Sequence, residues 1–166
     1  MFILWFTSPD RRLGGYFDLA GTLFLLFALI AIYIVHMKNG GTFGLISFIL
    51  ALIGTGLCIG VKWVHAFVVP ELAVHAPALA DQPTTVIMVG QMGSFALFMI
   101  GWVLIGILVA KKRVLSKFSG ILLIAAPILD FIPYANFVAQ PLFALTLLWV
   151  TYQLYKGRGT EFLQEA

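Results

Sequence analysis

Apolar residues run along this chain in blocks too long for the strands or amphipathic helices of a water-soluble domain, and short polar clusters divide them. The first block, from Tyr16 to about His36, is broken only by Asp18, Gly21 and Thr22. At 1.5 Å per residue it can cross a hydrocarbon core of about 30 Å. Lys38-Asn39-Gly40-Gly41 follows, with the asparagine and glycines expected just past a helix end. A second block spans about 42–61 and stops at Lys62-Trp63, an interfacial anchor pair. A third runs from about 85 to 110 and ends at Lys111-Lys112-Arg113.

The last block, 118–155, would be roughly 57 Å long as one straight helix, about twice the hydrocarbon thickness. Asp130-Phe131-Ile132-Pro133-Tyr134-Ala135-Asn136 carries turn chemistry in its middle. The block therefore divides into spans of about 118–132 and 138–155. The pattern predicts an all-α polytopic transmembrane bundle, one domain over 1–166, with five spans. The alternative is four, with a long broken last helix.

Charge placement weighs on that choice. Five crossings from an outside N-terminus put Lys38, Lys111, Lys112, Arg113, Lys117, Lys156 and Arg158 inside and leave Arg11, Arg12 and Lys62 outside. Four crossings divide the basic residues evenly. The excess of Lys and Arg in cytoplasmic loops favours five, with the C-terminus in the cytoplasm. Arg11 and Arg12 run against the rule.

Composition agrees with a membrane setting. Hydrophobic residues make up 61% of the chain and charged residues only 10%, with a mean hydropathy of +1.04. Soluble domains carry about 25% charged residues. The net charge of +3 is spread over helix ends and forms no basic face, so nucleic acid is not an expected partner. Cys58 is the single cysteine, which excludes an intrachain disulfide. Met1 to Phe6 is apolar but too short for a secretory signal and reads as an interfacial segment. Membrane lipid is the expected partner, with a membrane-protein partner or a second copy also open.

Residues 62–84 mix titratable and apolar groups and read as an outward, irregular interfacial segment broken at Pro70 and Pro77. Under the five-span topology Asp18, His65, Glu71, His75, Asp81, Gln91, Asp130, Asn136 and Gln140 all fall on the outer half. Ionisable groups in spans are costly and line interiors or cavities, so Asp18, Gln91 and Asp130 call for partners. Lys62, Arg11 and Arg12 are candidates for the carboxylates, and Tyr16 or Tyr134 can donate hydroxyl hydrogen bonds. The expected cleft is bordered by Asp18, Trp63, His65, Glu71, His75, Gln91, Trp102 and Asp130. Gly56 with Gly60, and Gly90 with Ser94, have the small-xxx-small spacing through which lipid-embedded helices approach closely.

Metal and redox chemistry find little footing. Glu71 and His75 share a helical face with His65 as a possible third ligand, but the two histidines are ten apart with Pro70 between them, which meets no established ligand spacing. Haem ligation needs histidines facing each other within the bilayer, whereas His36 is placed inside and His65 and His75 outside. No Gly-x-Ser-x-Gly or phosphate-cradling loop occurs. No cofactor is expected.

Phe67 to Pro77, Gly101-Trp102-Val103-Leu104-Ile105-Gly106 and Trp149 to Tyr155 resemble stretches of small uncharacterised bacterial membrane proteins with four to six spans. The resemblance implies a bacterial inner-membrane setting and brings no activity with it. Three functional readings follow from the residues. The first is a non-enzymatic accessory or structural subunit, or a binder of a lipophilic ligand in an outward polar cleft. The second is a metal- or haem-dependent membrane enzyme using the same groups. The third is an ion-coupled carrier.

Overall fold

A computed structural model describes residues 11–78, 84–112, 114–130, 132 and 136–156. Met1 to Phe6, Asp81, Arg113, Tyr134 and Arg158 lie outside the described residues, as do the side chains of Arg11, Arg12, Asp130, Asn136 and Gln140. Every element formed by the described residues is a helix.

The helical run Arg11–Trp63 is two helices, α1 (11–40) and α2 (42–63), broken at Gly41 with φ 55° and ψ −156°. That backbone region is open essentially to glycine alone. The break turns the chain back on itself. Tyr33 stacks on Phe48 at 4.0 Å between ring centroids, Lys62 pairs with Asp18, and a Cβ on Gly15 would sit 3.3 Å from the Ala66 Cα. These pairs are spaced evenly about Gly41, so α1 and α2 are antiparallel along their whole length.

The chain does not become irregular after α2. A π-turn, Val64–Val68, leads straight into α3 (Val69–His75), with the Val69 N–H donating to the Val64 carbonyl. Pro70 was expected to break the helix. It lacks an N–H and crowds the carbonyl four residues back, and the wider turn just before it absorbs both defects. The helix ends instead at His75, before Pro77.

Three further helices follow, α4 (Thr85–Lys112), α5 (Lys117–Asp130) and α6 (Asn136–Tyr155). α4 packs antiparallel on α2 by way of glycine. A Cβ on Gly101 would lie 2.5 Å from the Ala51 nitrogen, and one on Gly54 2.6 Å from the Phe98 Cα. α5 runs back along α4 just as tightly, since a Cβ on Gly120 would meet the Ala110 nitrogen at 2.5 Å. α6 returns along α5. Gln153 reaches Ser116 and Ser119 at one end, and Pro127 and Phe143 line one cavity at the other. The block 118–155 is therefore two helices side by side.

Two stretches are long and apolar enough to cross a membrane, Gly15–His75 and Thr85–Lys112, each with a mean hydropathy of 2.3. Lys117–Leu129 and Leu142–Tyr155 are apolar but shorter. The packed faces are marked less by size of apolar residue than by smallness and polarity. Thr22, His36, Ser47, Thr55, Ser94, Ser119, Thr146 and Gln153 are buried, while Phe17, Phe24, Val86 and Leu148 are each more than 60% exposed. Four of the buried hydroxyls, on Thr22, Ser47, Ser94 and Thr146, donate to carbonyls one turn back in their own helix. This satisfies each polar group without a partner from another helix. A large core nonetheless joins the helices, with Leu29, Ile32, Ala51, Trp102, Ile105, Leu123, Phe143 and Val150 in contact.

Candidate functional site

The antiparallel packing gives the protein two unlike ends. At the Gly41 end stand Lys38, Lys111, Lys112, Lys117 and Lys156, all exposed. At the other end α1, α2, α3 and the start of α4 bring together Asp18, Lys62, His65, Glu71, His75 and Gln91. Among the described residues, contacts join Asp18 to Lys62 and His65 to Gln91, while Glu71 and His75 follow on α3 and pair with each other.

The centre of that end is the ion pair between Lys62 on α2 and Asp18 on α1. Both side chains are largely covered, at 21% and 28% exposure. The Lys62 ammonium also lies 5.9 Å from the centre of the Phe95 ring on α4, within range of a cation–π attraction. One turn further along, Nε2 of His65 is 3.4 Å from the Gln91 side-chain nitrogen. A neutral imidazole accepts there and the amide donates. Burial, and after it the Lys62 charge, hold the His65 imidazole below its ordinary value, with Asp18 opposing.

Beside the ion pair is a cavity of about 50 Å³ to which all five long helices contribute. Asp18, Thr22 and Leu25 come from α1, Cys58 and Lys62 from α2, Phe95 and Phe98 from α4, Ala126 and Pro127 from α5, and Phe143 from α6. The wall is apolar and aromatic, with one ion pair in it. Cys58 is buried, and its thiol points to the Ser94 carbonyl at 3.8 Å. Chemically the arrangement offers one cation, one anion, and aromatic surface to whatever enters.

Several sequence candidates take other places. Trp102 does not line the cavity; it is fully buried behind it, edge-on to Phe143 at 5.0 Å, with its indole N–H donating to Thr55 Oγ1 at 3.1 Å. Trp63 is half exposed and packs on Phe67 at the outer surface. Glu71 and His75 are 3.7 Å apart on the exposed face of α3. His65 does not join them, and among the described residues no three of His, Cys, Asp and Glu gather as a metal site. His36 lies near the Gly41 end, the far end from His65 and His75.

The glycine pairs also differ from expectation. Gly56, Gly60 and Gly90 are exposed, and a Cβ on any of them would meet nothing within 4 Å. Of that set only Ser94 is buried, and the close helix approaches run through Gly54, Gly101, Gly106 and Gly120.

Sequence reasoning missed a polar network at the opposite end. The Gln153 side-chain oxygen accepts from the Ser116 backbone N–H at 2.9 Å, and its nitrogen donates to the hydroxyls of Ser116 and Ser119 at 2.9 and 3.0 Å. These groups are more than thirty residues apart, though a Ser-x-x-Ser at the start of a helix signals the cap half of it. His36 is also buried there. Its Nδ1 faces the Ile32 carbonyl at 2.9 Å and so carries the proton, which leaves Nε2 a bare acceptor with no hydrogen-bond partner among the described residues.

No family model matches the chain, no curated protein matches it, and no solved structure matches its fold.

Proposed function

We propose that this chain is a small, non-enzymatic integral membrane protein of the bacterial plasma membrane that holds the polar end of a lipophilic ligand in the cavity beside Asp18 and Lys62. The observation that carries the reading is a covered ion pair set in an aromatic wall shared by all five long helices. A charge pair in such a place is costly to desolvate and stands where a partner can use it. The five helices are five membrane passes. Their lipid-facing sides carry the large exposed apolar residues and their mutual contacts the small and polar ones, which is how helices pack when lipid replaces water. The lysine end is cytoplasmic and the Asp18 end faces outward, in keeping with the positive-inside rule. The short α5, about 21 Å long, crosses where the bilayer thins to meet it.

Two measurements test this. In a Cys58→Ser background, membrane-impermeant thiol labelling from outside the cell modifies Asn136→Cys and spares Lys38→Cys and Lys156→Cys. Labelling at position 156 from outside sinks the five-pass topology. The purified protein retains a lipophilic small molecule or lipid that Ala126→Phe, which fills the cavity, releases. Equal retention by the two proteins sinks the ligand site.

A further inference from the structure

The charges in the cavity wall narrow what it takes. Its wall holds one cation and one anion already in contact, so the site is neutral as a unit. A net anion brought to Lys62 meets the Asp18 carboxylate, and a net cation brought to Asp18 meets the ammonium. In an apolar wall such unbalanced charges are poorly screened. A ligand that carries both charges a few ångströms apart leaves none uncompensated. Asp18 offers two oxygens with about four acceptor sites, and Lys62 three donors, so each can serve the other and a ligand together. Hydrogen bonding then discriminates among zwitterions. The Asp18 carboxylate accepts from the N–H groups of a primary ammonium, and a trimethylammonium has none to give. Phe95, already drawn to the Lys62 ammonium, and Phe98 and Phe143 present ring surface to a second cation.

We infer that the Asp18–Lys62 pair is a receptor for a zwitterionic headgroup ending in a primary ammonium, the phosphoethanolamine type, with the ammonium in the cavity toward Asp18 and the phosphate at its mouth toward Lys62. This rests on the reading of the cavity as a ligand site and adds the ligand's chemical class to it.

The test uses the full chain purified in mild detergent and exposed to an equimolar mixture of phosphatidylethanolamine, phosphatidylcholine and phosphatidylglycerol, with retained lipid counted by native mass spectrometry. Phosphatidylethanolamine is retained over phosphatidylcholine by roughly tenfold, the worth of about one net hydrogen bond. Retention falls with each N-methyl group added across the mono-, di- and trimethyl series, a readout on the unmodified protein that needs no variant to fold. Asp18→Asn with Lys62→Gln keeps size and a mutual hydrogen bond, and abolishes the preference while leaving the melting profile in place. Free phosphoethanolamine is then added to the lipid-bound protein. Displacement assigns a soluble zwitterion as the ligand and no displacement assigns the lipid, and either result upholds the pair as the receptor. Equal retention of ethanolamine and choline lipids, or a preference for phosphatidylglycerol, overturns the headgroup assignment and leaves the ligand site standing. Retention of no lipid by the unmodified protein overturns both.

Discussion

Glycines that look alike in the sequence have opposite surroundings in the fold, and substituting them separates the two. Gly101 lies where α4 crosses α2, and a Cβ there would be 2.5 Å from the Ala51 nitrogen and 2.9 Å from the Leu50 carbonyl carbon. Ordinary contact begins near 3.4 Å, so the helices must separate by close to 1 Å. Neither obstacle is a side chain that can swing aside. Gly101→Val adds two more methyl groups, and overpacking of this kind costs about 1–3 kcal/mol. The separation also thins the contacts on either side, because a gap of about 0.5–1 Å forfeits a quarter to a half of the dispersion well. Taking the upper half of the range, about 2–3 kcal/mol, and about 2–4 °C per kcal/mol for a chain of this length, the melting temperature falls by roughly 4–12 °C. Gly56→Val meets nothing within 4 Å and gains a few tenths of a kcal/mol, roughly, in helix propensity. Its melting temperature stays within about 1–2 °C of the parent. The assay is tryptophan fluorescence on heating in detergent. A Gly101→Val protein that melts with the parent refutes the helix crossing, and a Gly56→Val protein that melts as early as Gly101→Val shows that the Gly56–Gly60 face is packed after all.

Trp102→Phe keeps the ring edge against Phe143 but deletes the indole N–H that Thr55 accepts. Interhelical hydrogen bonds in membrane proteins average about 0.6 kcal/mol with a maximum of about 1.7, so the loss in unfolding free energy falls in that range, and pairing it with Thr55→Val in a double-mutant cycle isolates the bond. The His65 imidazole is held low in the fold and reverts to about 6.5 when unfolded. Between those values the unfolded chain binds the proton and the folded one does not, so this contribution to stability is present above about pH 6.5 and is lost as pH falls through the window below it. His65→Gln, which keeps an acceptor for Gln91, flattens the decline of melting temperature from about pH 7.5 to 5; an unchanged slope removes His65 from the account.

The long periods of the fold are legible because unbroken apolar runs of about twenty residues are a demanding signal. The bounds of α2, α4 and α6 follow to within two residues from apolar block lengths, α1 (11–40) reaches four or five residues past its block of 16–36 at each end, and Gly40-Gly41 marks the first turn in the sequence itself. Which face of each helix packs was not legible in the same way. Phe24 and Leu148 face outward and Thr55 and Ser119 face in, while Leu29, Ile32 and Trp102 are buried too, so hydrophobicity alone does not choose the packed face. The Gly56–Gly60 spacing names two small residues on a helix without saying which side a neighbour takes, and Gly54, two residues away and so on the other side of the helix, is the residue in contact. Lys62 was expected as an anchor and as one of several possible partners of Asp18. Choosing between those roles takes the turn at Gly41, which lays residue 62 against residue 18. Pro70 sits within a continuous helix because the wider turn before it, which no local pattern announces, relieves the proline's local cost. The Ser116–Ser119–Gln153 network joins residues whose nearness depends on α6 running back along α5.

The corner at Gly41 has a bearing on how the protein is made. A single residue joins two arms whose contacts, from Tyr33 on Phe48 out to Asp18 on Lys62, are nested one outside another about that point. Each can close as soon as the ribosome has delivered its second member, from the corner outward, with little loop entropy lost at any step. The first two arms thus pair before the rest of the chain, and the Leu50–Ala51 surface that Gly101 needs is in place before α4 has been synthesised. A side chain at position 41, strained at φ 55°, costs about 1–3 kcal/mol at that corner, and the injury falls first on biogenesis and only then on the finished molecule.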